Sequence, residues 1–329
     1  MVRKSKDRAL TREAAIEMAR SHLAPLWLGG PPLFTGVRSP KGASVFPLDP
    51  DYAARNWIVL LVDPTSISAA TDIKHFRELH RRYHAHRLDF LLLLRAAYPF
   101  YRNSQGLEPM LLKSSRMDVR IGVDPDGSAF EGFGALPPPK VLLVSQGKVI
   151  SEGTALTWFD VIETEIQKFL RKNDCGLALF PPFVLGPSFL KDIGRFDFGE
   201  REKSEPLSGL FFEGQWKKEA DRITTVDPNA SIHFSCPGSE LGIIAETLDS
   251  ARIPAELAIE LNGSSVRDSY WGPDLGRTEQ GLSGLNVTQP RNHYALKKLP
   301  VGGREITIRF PEAERAGAAL YGLRFGESS

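Results

Sequence analysis

Two short apolar runs on either side of an amphipathic helix constrain the fold of this chain more than any other feature. Trp57–Val62 is continuously apolar, and Leu88–Leu94 is interrupted only by Asp89, as expected of strands buried on both faces of a sheet. The segment between them, Asp72–Arg87, has apolar residues at helical spacing, namely Ile73, Phe76, Leu79 and Tyr83. The sequence therefore predicts a strand–helix–strand unit inside a small α/β domain.

Three shorter patterns predict the rest of this domain. Val119–Val123 is expected to form a third strand. Val141–Val144 and Lys148–Ser151 are expected to pair in a hairpin around a Ser-Gln-Gly turn. Trp158–Leu170 has the spacing of an amphipathic helix, which would close the domain.

The C-terminal part of the chain has a different character. After Leu210, short alternating segments are separated by turn signals such as Asn262-Gly263 and Gly302-Gly303, which is typical of an antiparallel β-sandwich. The predicted strands include Ser231–Ser235, Leu241–Glu246, Ala255–Leu261, Glu305–Phe310 and Ala318–Phe325. The predicted fold class is therefore α/β plus all-β.

These patterns divide the chain into four regions. Residues 1–50 form an N-terminal extension with a predicted helix at Thr11–Leu23 and a predicted hairpin within Val37–Asp51. Residues 51–172 form the α/β domain. Residues 173–209, rich in glycine, proline and charge, form a connector, and residues 210–329 form the sandwich.

Composition indicates an ordinary soluble protein. Apolar residues make up 42% of the chain and charged residues 25%, with a net charge of +1. This balance predicts neither a nucleic-acid partner nor an anionic membrane partner. No segment has the apolar core of a signal peptide or the length of a membrane span. We therefore expect a cytoplasmic protein, and no cofactor is expected.

One segment carries a specific likeness to a known family. Ile58–Leu79 resembles the first strand and active-site helix of the TlpA-like thioredoxins, which typically read V-L-V-D-F-W-x-x-x-C-x-x-C, with a leucine seven residues after the second cysteine. In a gap-free alignment Val62-Asp63 and Leu79 match, and the two cysteines fall on Ala69 and Asp72. The order of strand–helix–strand, hairpin and helix is also one that the thioredoxin fold uses. The resemblance implies a thioredoxin-like domain without its redox cysteines.

A second segment extends this resemblance. Gly134–Lys148 looks like the family segment P-T-x-x-L-I-D-x-x-G, which makes Pro139 the cis-proline that faces the active site. In thioredoxins the groove beside this proline holds an extended peptide. The resemblance therefore implies a peptide groove lined by Ile67, Ser68, Thr71, Pro138 and Pro139.

The connector and sandwich are similar to the soluble tail of DipZ-type thiol:disulfide interchange proteins. In those proteins a thioredoxin-like domain precedes a carbohydrate-binding-module-like sandwich, which implies a jelly-roll-like fold here. The resemblance covers roughly residues 57–326. It rests on four short segments, Phe183–Gly186, Gly214–Trp216, Ala230–Phe234 and Tyr321–Gly326.

The missing cysteines exclude one kind of chemistry. Dithiol exchange needs a thiolate, which thioredoxins generate at a helix N-terminus, and Ala69 has no ionisable group. Asp72 is predicted to stabilise the helix start, with a general-base role as the alternative. A hydroxyl nucleophile at Ser66, Ser68 or Thr71 would need a nearby base that the sequence does not provide. No catalytic residue is therefore expected at this place.

The two cysteines of the chain, Cys175 and Cys236, lie elsewhere. In a reducing compartment they are expected to be free thiols, and a disulfide between the two domains is the alternative. If either thiol were reactive, the chain could act as a thioredoxin-family oxidoreductase or as a thiol-dependent antioxidant through a non-standard cysteine.

Two further groups are candidate binding sites. His80 and His84 are four residues apart, as metal ligands on one helix face are. The glutamate of the zinc-hydrolase motif is missing and arginines surround them, so a solvated basic face is predicted and no metal is expected. Tyr270 and Trp271 lie in a predicted loop, either as a platform for stacking on sugar or as packing residues.

The leading functional hypothesis is a redox-inactive thioredoxin-like binding or assembly protein. A protein partner is expected, and a carbohydrate partner is the second option for the sandwich. The alternative class is an enzyme, either the thiol-dependent oxidoreductase already described or a sugar-active protein.

Overall fold

The structure is a computed structural model that describes most of the α/β region and of the sandwich. The described residues are 55–102, 119–124, 127–133, 135, 139–146, 148–154, 158–173, 190–198, 207–248, 253–311, 313 and 316–328. The helix predicted at Thr11–Leu23 and the hairpin predicted within Val37–Asp51 lie outside these residues.

The chain divides into two compact units, and the boundary does not follow the chain in a simple way. The first unit comprises Met1–Val62, Lys74–Ala96 and Leu107–Pro182. The second comprises Phe183–Ser329 and two segments from the first half of the chain, Asp63–Ile73 and Ala97–Gly106. The domain boundary predicted near residue 172 stays a prediction.

The first half of the chain alternates strands and helices. In chain order its elements are β1 (Asn56–Val62), α1 (Ala69–Tyr83), β2 (Leu88–Arg95), α2 (Pro99–Arg102), β3 (Arg120–Asp124), α3 (Ser128–Gly132), β4 (Lys140–Ser145), β5 (Lys148–Thr154) and α4 (Trp158–Asn173). A short 3-10 turn, His84–His86, follows α1.

Five of these strands form one mixed sheet within the described residues. Its order is β3-β2-β1-β4-β5. β1, β2 and β3 run parallel, whereas β4 is antiparallel to both β1 and β5. The predicted order of strand–helix–strand, hairpin and helix is present, and the thioredoxin-like topology expected from the sequence fits it.

The apolar strands are buried as their sequence predicts. Every residue of β1 after Asn56 is buried, so this strand contributes side chains to both faces of the sheet. One face packs against α3 through Trp57, Val59, Leu61, Phe130 and neighbouring residues. The ring of Phe76 on α1 makes an edge contact with the ring of Phe90 on β2, and the two centroids are 5.5 Å apart.

A buried polar group joins α1 to α4. The Tyr83 hydroxyl donates to the Glu163 carboxylate at 2.9 Å and accepts from the Gln167 amide at 2.9 Å. Arg82 also pairs with Glu163. Burial, followed by the nearby Glu163, raises the pKa of Tyr83 to about 12, so the phenol stays a donor. Glu163 is therefore the shared acceptor that joins the two helices.

We predict that Glu163→Ala lowers the free energy of unfolding by about 3 kcal/mol, because it leaves Arg82 as a largely buried charge without this partner. Glu165→Ala is the matched control on the same helix, since Glu165 pairs with Lys168 at the surface. The control should cost less than about 0.5 kcal/mol. Urea denaturation measures both, and equal losses would contradict the role given to Glu163.

The second half of the chain consists of short strands. They are β6 (Leu190–Asp197), β7 (Phe211–Glu213), β8 (Lys217–Lys218), β9 (Ile223–Thr225), β10 (Ser231–Ser235), β11 (Glu240–Thr247), β12 (Ala255–Leu261), β13 (Ser264–Ser265), β14 (Gly276–Arg277), β15 (Ser283–Val287), β16 (Arg291–Leu296), β17 (Glu305–Arg309) and β18 (Ala318–Ser328). All five strands predicted in this region are present, two with the predicted bounds and three within three residues of them.

These strands form two antiparallel sheets within the described residues. One sheet has the order β14-β15-β12-β17-β10-β7, with β13 paired to β12. The other has the order β16-β11-β18-β9-β8, with β6 paired to β18. The alternate residues of both sheets contribute to one core, which contains Ile232, Phe234, Leu257, Ile308 and Leu323 among others.

One strand lies where the sequence predicts a connector. β6 falls within residues 173–209, yet it pairs along its length with β18. Its sequence, LKDIGRFD, carries four charged residues and a glycine, so neither apolar alternation nor strand propensity marks it. Its pairing partner, which is distant in the chain, decides its conformation.

A buried histidine lies in the second sheet. His293 on β16 is 1% exposed, and its Nε2 has no hydrogen-bond partner among the described residues. Burial, assisted by Arg291 and opposed by Asp274, lowers the pKa of His293 to about 4. The imidazole is therefore neutral at neutral pH.

We predict that His293 makes the fold sensitive to acid. The unfolded chain binds a proton here at about pH 6.5, whereas the folded chain does so only at about pH 4. The free energy of unfolding must therefore fall as pH decreases through this window. Urea midpoints at pH 7 and pH 5 should differ less for His293→Gln than for the wild type. An unchanged difference would show that other groups cause the acid sensitivity.

None of the helices in the described ranges has both the length and the apolar character that crossing a bilayer requires.

Candidate functional site

The segment after β1 is the place where the resemblance predicts redox chemistry, and here it forms a tight polar turn. The Asp63 carboxylate accepts from the Thr65 amide at 2.8 Å and from the Thr65 hydroxyl at 2.6 Å. The Ser66 amide donates to the Asp63 carbonyl at 2.9 Å. Asp63 therefore shapes the turn through both its side chain and its backbone, as aspartates commonly do.

α1 begins at Ala69, three residues earlier than the predicted start at Asp72. The Ser68 carbonyl accepts from the amides of Thr71 and Asp72 at 2.8 and 2.9 Å. Ala69 is thus the first helical residue and Asp72 lies in the first turn, so both predicted cysteine positions are at the helix N-terminus. A carboxylate there is favourable because it faces the positive end of the helix dipole.

Hydroxyl groups surround this helix start. The Ser68 hydroxyl donates to Asp72 Oδ2 at 2.8 Å. The hydroxyls of Ser66 and Ser68 are 2.9 Å apart, so Ser66 must donate to Ser68, whose proton is already used. The Ser68 amide also donates to the Ser66 hydroxyl at 3.2 Å. The arrangement satisfies the polar groups of the turn, as the helix-stabilising interpretation of Asp72 predicts.

These groups are inaccessible to a substrate. Ser66, Ser68 and Asp72 are each 6% exposed, and Ala69 is 3% exposed. A serine beside a carboxylate has a hydrogen-bond acceptor, but nucleophilic catalysis also needs the reacting carbonyl or disulfide to reach the oxygen. The geometry therefore provides a buried structural turn.

Two residues of the sandwich hold this turn from outside. The Asn292 side-chain amide on β16 donates to the Thr65 carbonyl at 2.9 Å. Arg324 Nε on β18 donates to the Thr65 hydroxyl at 3.2 Å. That hydroxyl in turn donates a hydrogen bond to the Asp63 carboxylate. The turn is thus a hydrogen-bonded part of the second unit.

Arg324 is the centre of a buried group that we call the Arg324 cluster, consisting of Asp63, Thr65, Tyr98, Asp197 and Arg324. The guanidinium is 2% exposed. It donates to Asp197 Oδ1 at 2.9 Å, to the Tyr98 hydroxyl at 2.6 Å and to the Leu323 carbonyl at 2.9 Å. Tyr98, just before α2, in turn donates to Asp197 at the end of β6.

The electrostatics of the Arg324 cluster keep its charges in place. Burial opposes the charge on Arg324, but Tyr98, Asp197 and Asp63 together hold its pKa above the ordinary value. Burial raises the pKa of Tyr98 well above its ordinary range. Asp197 raises this pKa further, whereas Arg324 lowers it. Tyr98 is therefore a neutral phenol that accepts from the arginine and donates to the carboxylate.

A glycine and an aromatic group make room for this cluster. A Cβ at Gly322 would lie 2.6 Å from the Phe196 carbonyl oxygen, 2.7 Å from Asp197 Oδ1 and 3.1 Å from the Tyr98 hydroxyl. The rings of Tyr98 and Phe100 both meet Tyr321 edge-on, with centroids 5.4 and 5.0 Å apart. Packing on β18 thus depends on the absence of a side chain at position 322.

The residues predicted to line a peptide groove are placed as follows. Ile67 and Ser68 are each 6% exposed, Thr71 is partly exposed, and Pro139 is buried. Pro138 lies outside the described residues. The two groove residues nearest the helix start are therefore not an open surface.

The predicted glycan platform is part of the packing of the sandwich. Tyr270 and Trp271 are partly buried against the core of the two sheets. The Trp271 indole N–H donates to the Val266 carbonyl at 3.0 Å. The Arg277 guanidinium lies 4.9 Å from the ring centroid. One face of Trp271 thus already has a cationic neighbour.

The structure describes one of the two cysteines and both histidines that are candidate metal ligands. Cys236 is a buried free thiol whose pKa burial raises to about 11, so it is not a thiolate at neutral pH. Cys175 lies outside the described residues. His80 and His84 stack with centroids 4.9 Å apart, and no group of three or more metal-ligating side chains occurs in the parts of the chain that the structure covers.

Sequence reasoning missed the residues that determine this site. Tyr98, Asp197, Asn292 and Arg324 were not predicted to act together. One signal was present: Arg324 interrupts the apolar alternation of β18, and a buried arginine is rarely without a charged partner. Nothing local in the sequence identifies Asp197 or Tyr98 as that partner.

We predict that Arg324→Met lowers the free energy of unfolding by about 3–5 kcal/mol, because it removes one partner of a buried ion pair. Amide hydrogen exchange at residues 65–72 should accelerate with it. Arg309→Met is the matched control, since Arg309 is 46% exposed and pairs with Glu260 at the surface, and it should cost less than about 1 kcal/mol. Similar losses in the two variants would contradict the central role of Arg324.

Comparisons with solved structures find weak similarities to several proteins. A proposed thioredoxin from Neisseria meningitidis is 15% identical with a TM-score of 0.31, and the match covers 37% of this chain and 78% of that one. A secreted disulfide oxidoreductase from Mycobacterium tuberculosis is 9% identical with a TM-score of 0.30, covering 41% and 96%.

A family two carbohydrate esterase from Cellvibrio japonicus is 13% identical with a TM-score of 0.29, and the match covers 42% of this chain and 34% of the esterase. No protein-family model and no curated protein matches this chain. The thioredoxin-like topology of the first half is defined by its own strand order, β3-β2-β1-β4-β5, and by the placement of α1 and α4.

Proposed function

We propose that this chain is a redox-inactive thioredoxin-like protein that works by binding or assembly, with a protein as its partner. The observation that carries the proposal is the burial of the turn after β1 by hydrogen bonds from Asn292 and Arg324. Under this proposal the chain is a relative of the soluble tails of DipZ-type proteins, and its sandwich is of the jelly-roll-like type.

The first argument concerns the reacting group. A thioredoxin needs a thiolate at the start of α1, and Ala69 and Asp72 occupy the predicted cysteine positions. The helix N-terminus, which would lower the pKa of a cysteine thiol, faces a carboxylate and two serine hydroxyls. The local field that would activate a cysteine therefore stabilises a charged side chain that cannot exchange disulfides.

The second argument concerns access. Ser66, Ser68, Ala69 and Asp72 are almost completely buried, so a disulfide substrate could not approach them even if a thiol were present. Opening the turn would break the contacts of Thr65 with Asn292 and Arg324. The buried guanidinium would then lose one of its hydrogen-bond acceptors, which is costly. The segment therefore acts as structure, and recognition must use other surfaces.

The thiol-dependent alternative has weak support. Cys236 is buried, its Sγ lies 3.4 Å from the Gly238 carbonyl, and its pKa is raised to about 11. Such a thiol reacts slowly because only the thiolate is nucleophilic. Cys175 lies outside the described residues, so the thiol-free variant in the assay below replaces both cysteines.

We predict that the wild-type protein neither reduces insulin with dithiothreitol as electron donor nor consumes hydrogen peroxide above the buffer rate. A thioredoxin serves as the positive control, and a Cys175→Ser/Cys236→Ser variant serves as the thiol-free reference. Ala69→Cys/Asp72→Cys, checked for folding by near-ultraviolet circular dichroism, should remain at least about 100-fold less active than the thioredoxin, because positions 69 and 72 are buried.

Two outcomes would overturn the proposal. Activity in the wild type that disappears in the Cys175→Ser/Cys236→Ser variant would establish a non-standard redox enzyme. Thioredoxin-like activity in the folded Ala69→Cys/Asp72→Cys variant would show that the turn is accessible to substrates.

A further inference from the structure

The exposed face of α1 carries a straight row of cationic side chains that the site described above does not use. Lys74, Arg77 and Arg81 are all exposed. Their spacing of three and four residues places them on one side of the helix. We call these three residues the basic row. The row rises about 10 Å along the axis.

The charges of the basic row are not fully balanced. Glu78 accepts from Arg81 at 2.6 and 3.0 Å and also pairs with Arg82, which pairs with Glu163 as well. Those two arginines therefore match two glutamates. Within the part of the chain that the structure describes, Lys74 and Arg77 make no ion pair. Lys74 lies one helical turn before Arg77, and Arg77 lies one turn before Arg81.

Stabilisation of the helix explains only part of this pattern. Cations are favourable in the last turn of a helix, where the dipole is negative. Arg81 fits that explanation, whereas Lys74 lies in the second turn, where a cation gains nothing from the dipole. The solvent-facing side of α1 thus has positive charge from its second turn to its last turn.

We propose that the basic row is the docking surface for the protein partner, and that it binds an acidic helix whose carboxylates are spaced three and four residues apart. This inference rests on the binding role proposed above. A facing helix would present one carboxylate per turn, which matches the spacing of the row because both helices rise about 5.4 Å per turn.

Two other anionic surfaces fit less well. The phosphates of one nucleic-acid strand follow at about 3.4 Å along the axis, which is closer than the cations of a single helix row. Binding at a membrane surface usually adds apolar side chains that enter the lipid. None of the exposed large apolar side chains in the described residues lies on α1.

The affinity expected for such a surface is modest and sensitive to salt. Each exposed ion pair contributes less than about 1 kcal/mol, and screening at about 0.15 M salt reduces it further. Charge complementarity of this kind mainly accelerates association and selects the register of the partner. Other contacts would supply the remaining affinity in a natural complex.

The test uses the full chain and two synthetic alanine-based helical peptides of about 20 residues, long enough to be partly helical. Both contain the same number of glutamates. One has them in a single row at spacings of three and four, and the other has them distributed around the helix. Fluorescence anisotropy of the labelled peptides gives Kd at about 20 mM and about 150 mM salt.

We expect the row peptide to bind at least about tenfold more tightly than the distributed peptide. Lys74→Glu/Arg77→Glu should weaken this binding by about tenfold or more, and a peptide with a row of lysines should then bind to that variant instead. Lys217→Glu/Lys218→Glu, which makes the same charge change on exposed β8, should bind the row peptide as the wild type does.

Equal binding of the two glutamate peptides, or equal loss in the Lys217→Glu/Lys218→Glu control, would overturn the proposal in favour of unspecific attraction. Tighter binding to single-stranded DNA or to phosphatidylserine vesicles, lost in Lys74→Glu/Arg77→Glu, would assign the row to a different class of partner. Neither result alters the outcome of the insulin assay, so failure of this inference is distinguishable from failure of the proposed function.

Discussion

The burial of one guanidinium group, that of Arg324, fixes the turn after β1. Placing Arg324 out of water costs several kcal/mol unless its N–H groups are paired with good geometry. Thr65, Tyr98, Asp197 and the Leu323 carbonyl provide that pairing. The first three come from three segments that are distant from Arg324 in the chain. Because all of them must be in place together, the turn after β1, the segment before α2 and the end of β6 adopt defined positions in the second unit.

This constraint separates the fold from its customary chemistry. In a thioredoxin-like domain the turn after the first strand would present a nucleophile to solvent. Here the polar groups of this turn form hydrogen bonds with one another. Asp63, Ser68 and Asp72 satisfy the turn internally, and Asn292 and Arg324 bury it. A fold does not carry a function with it, and in this chain the side chains at the start of α1 satisfy one another's hydrogen bonds. The exposed side of α1 is then the more informative surface.

Much of the architecture could be predicted because its signals are local. The apolar run of β1, the helical spacing of Phe76 and Tyr83 and the alternation of β10 and β12 depend on residues within a few positions of each other. The predicted bounds of β10 and β12 match the structure. By contrast, β6 is polar in sequence and forms a strand only because β18 provides a pairing partner. Similarly, α1 starts at Ala69 because the carbonyls of Ser66 and Ser68 already accept hydrogen bonds from the first helical amides.

The sequence by itself determined the kinds of element, their order and the absence of cysteines at the start of α1, since each of these is a property of short segments. Only the tertiary structure decided that this turn is buried and that Arg324 holds it. The reason is that alternation along a strand assigns Arg324 to one face of β18 but does not say what covers that face. Its partners Thr65, Tyr98 and Asp197 are more than 100 residues away in the chain, and long-range packing alone brings them together.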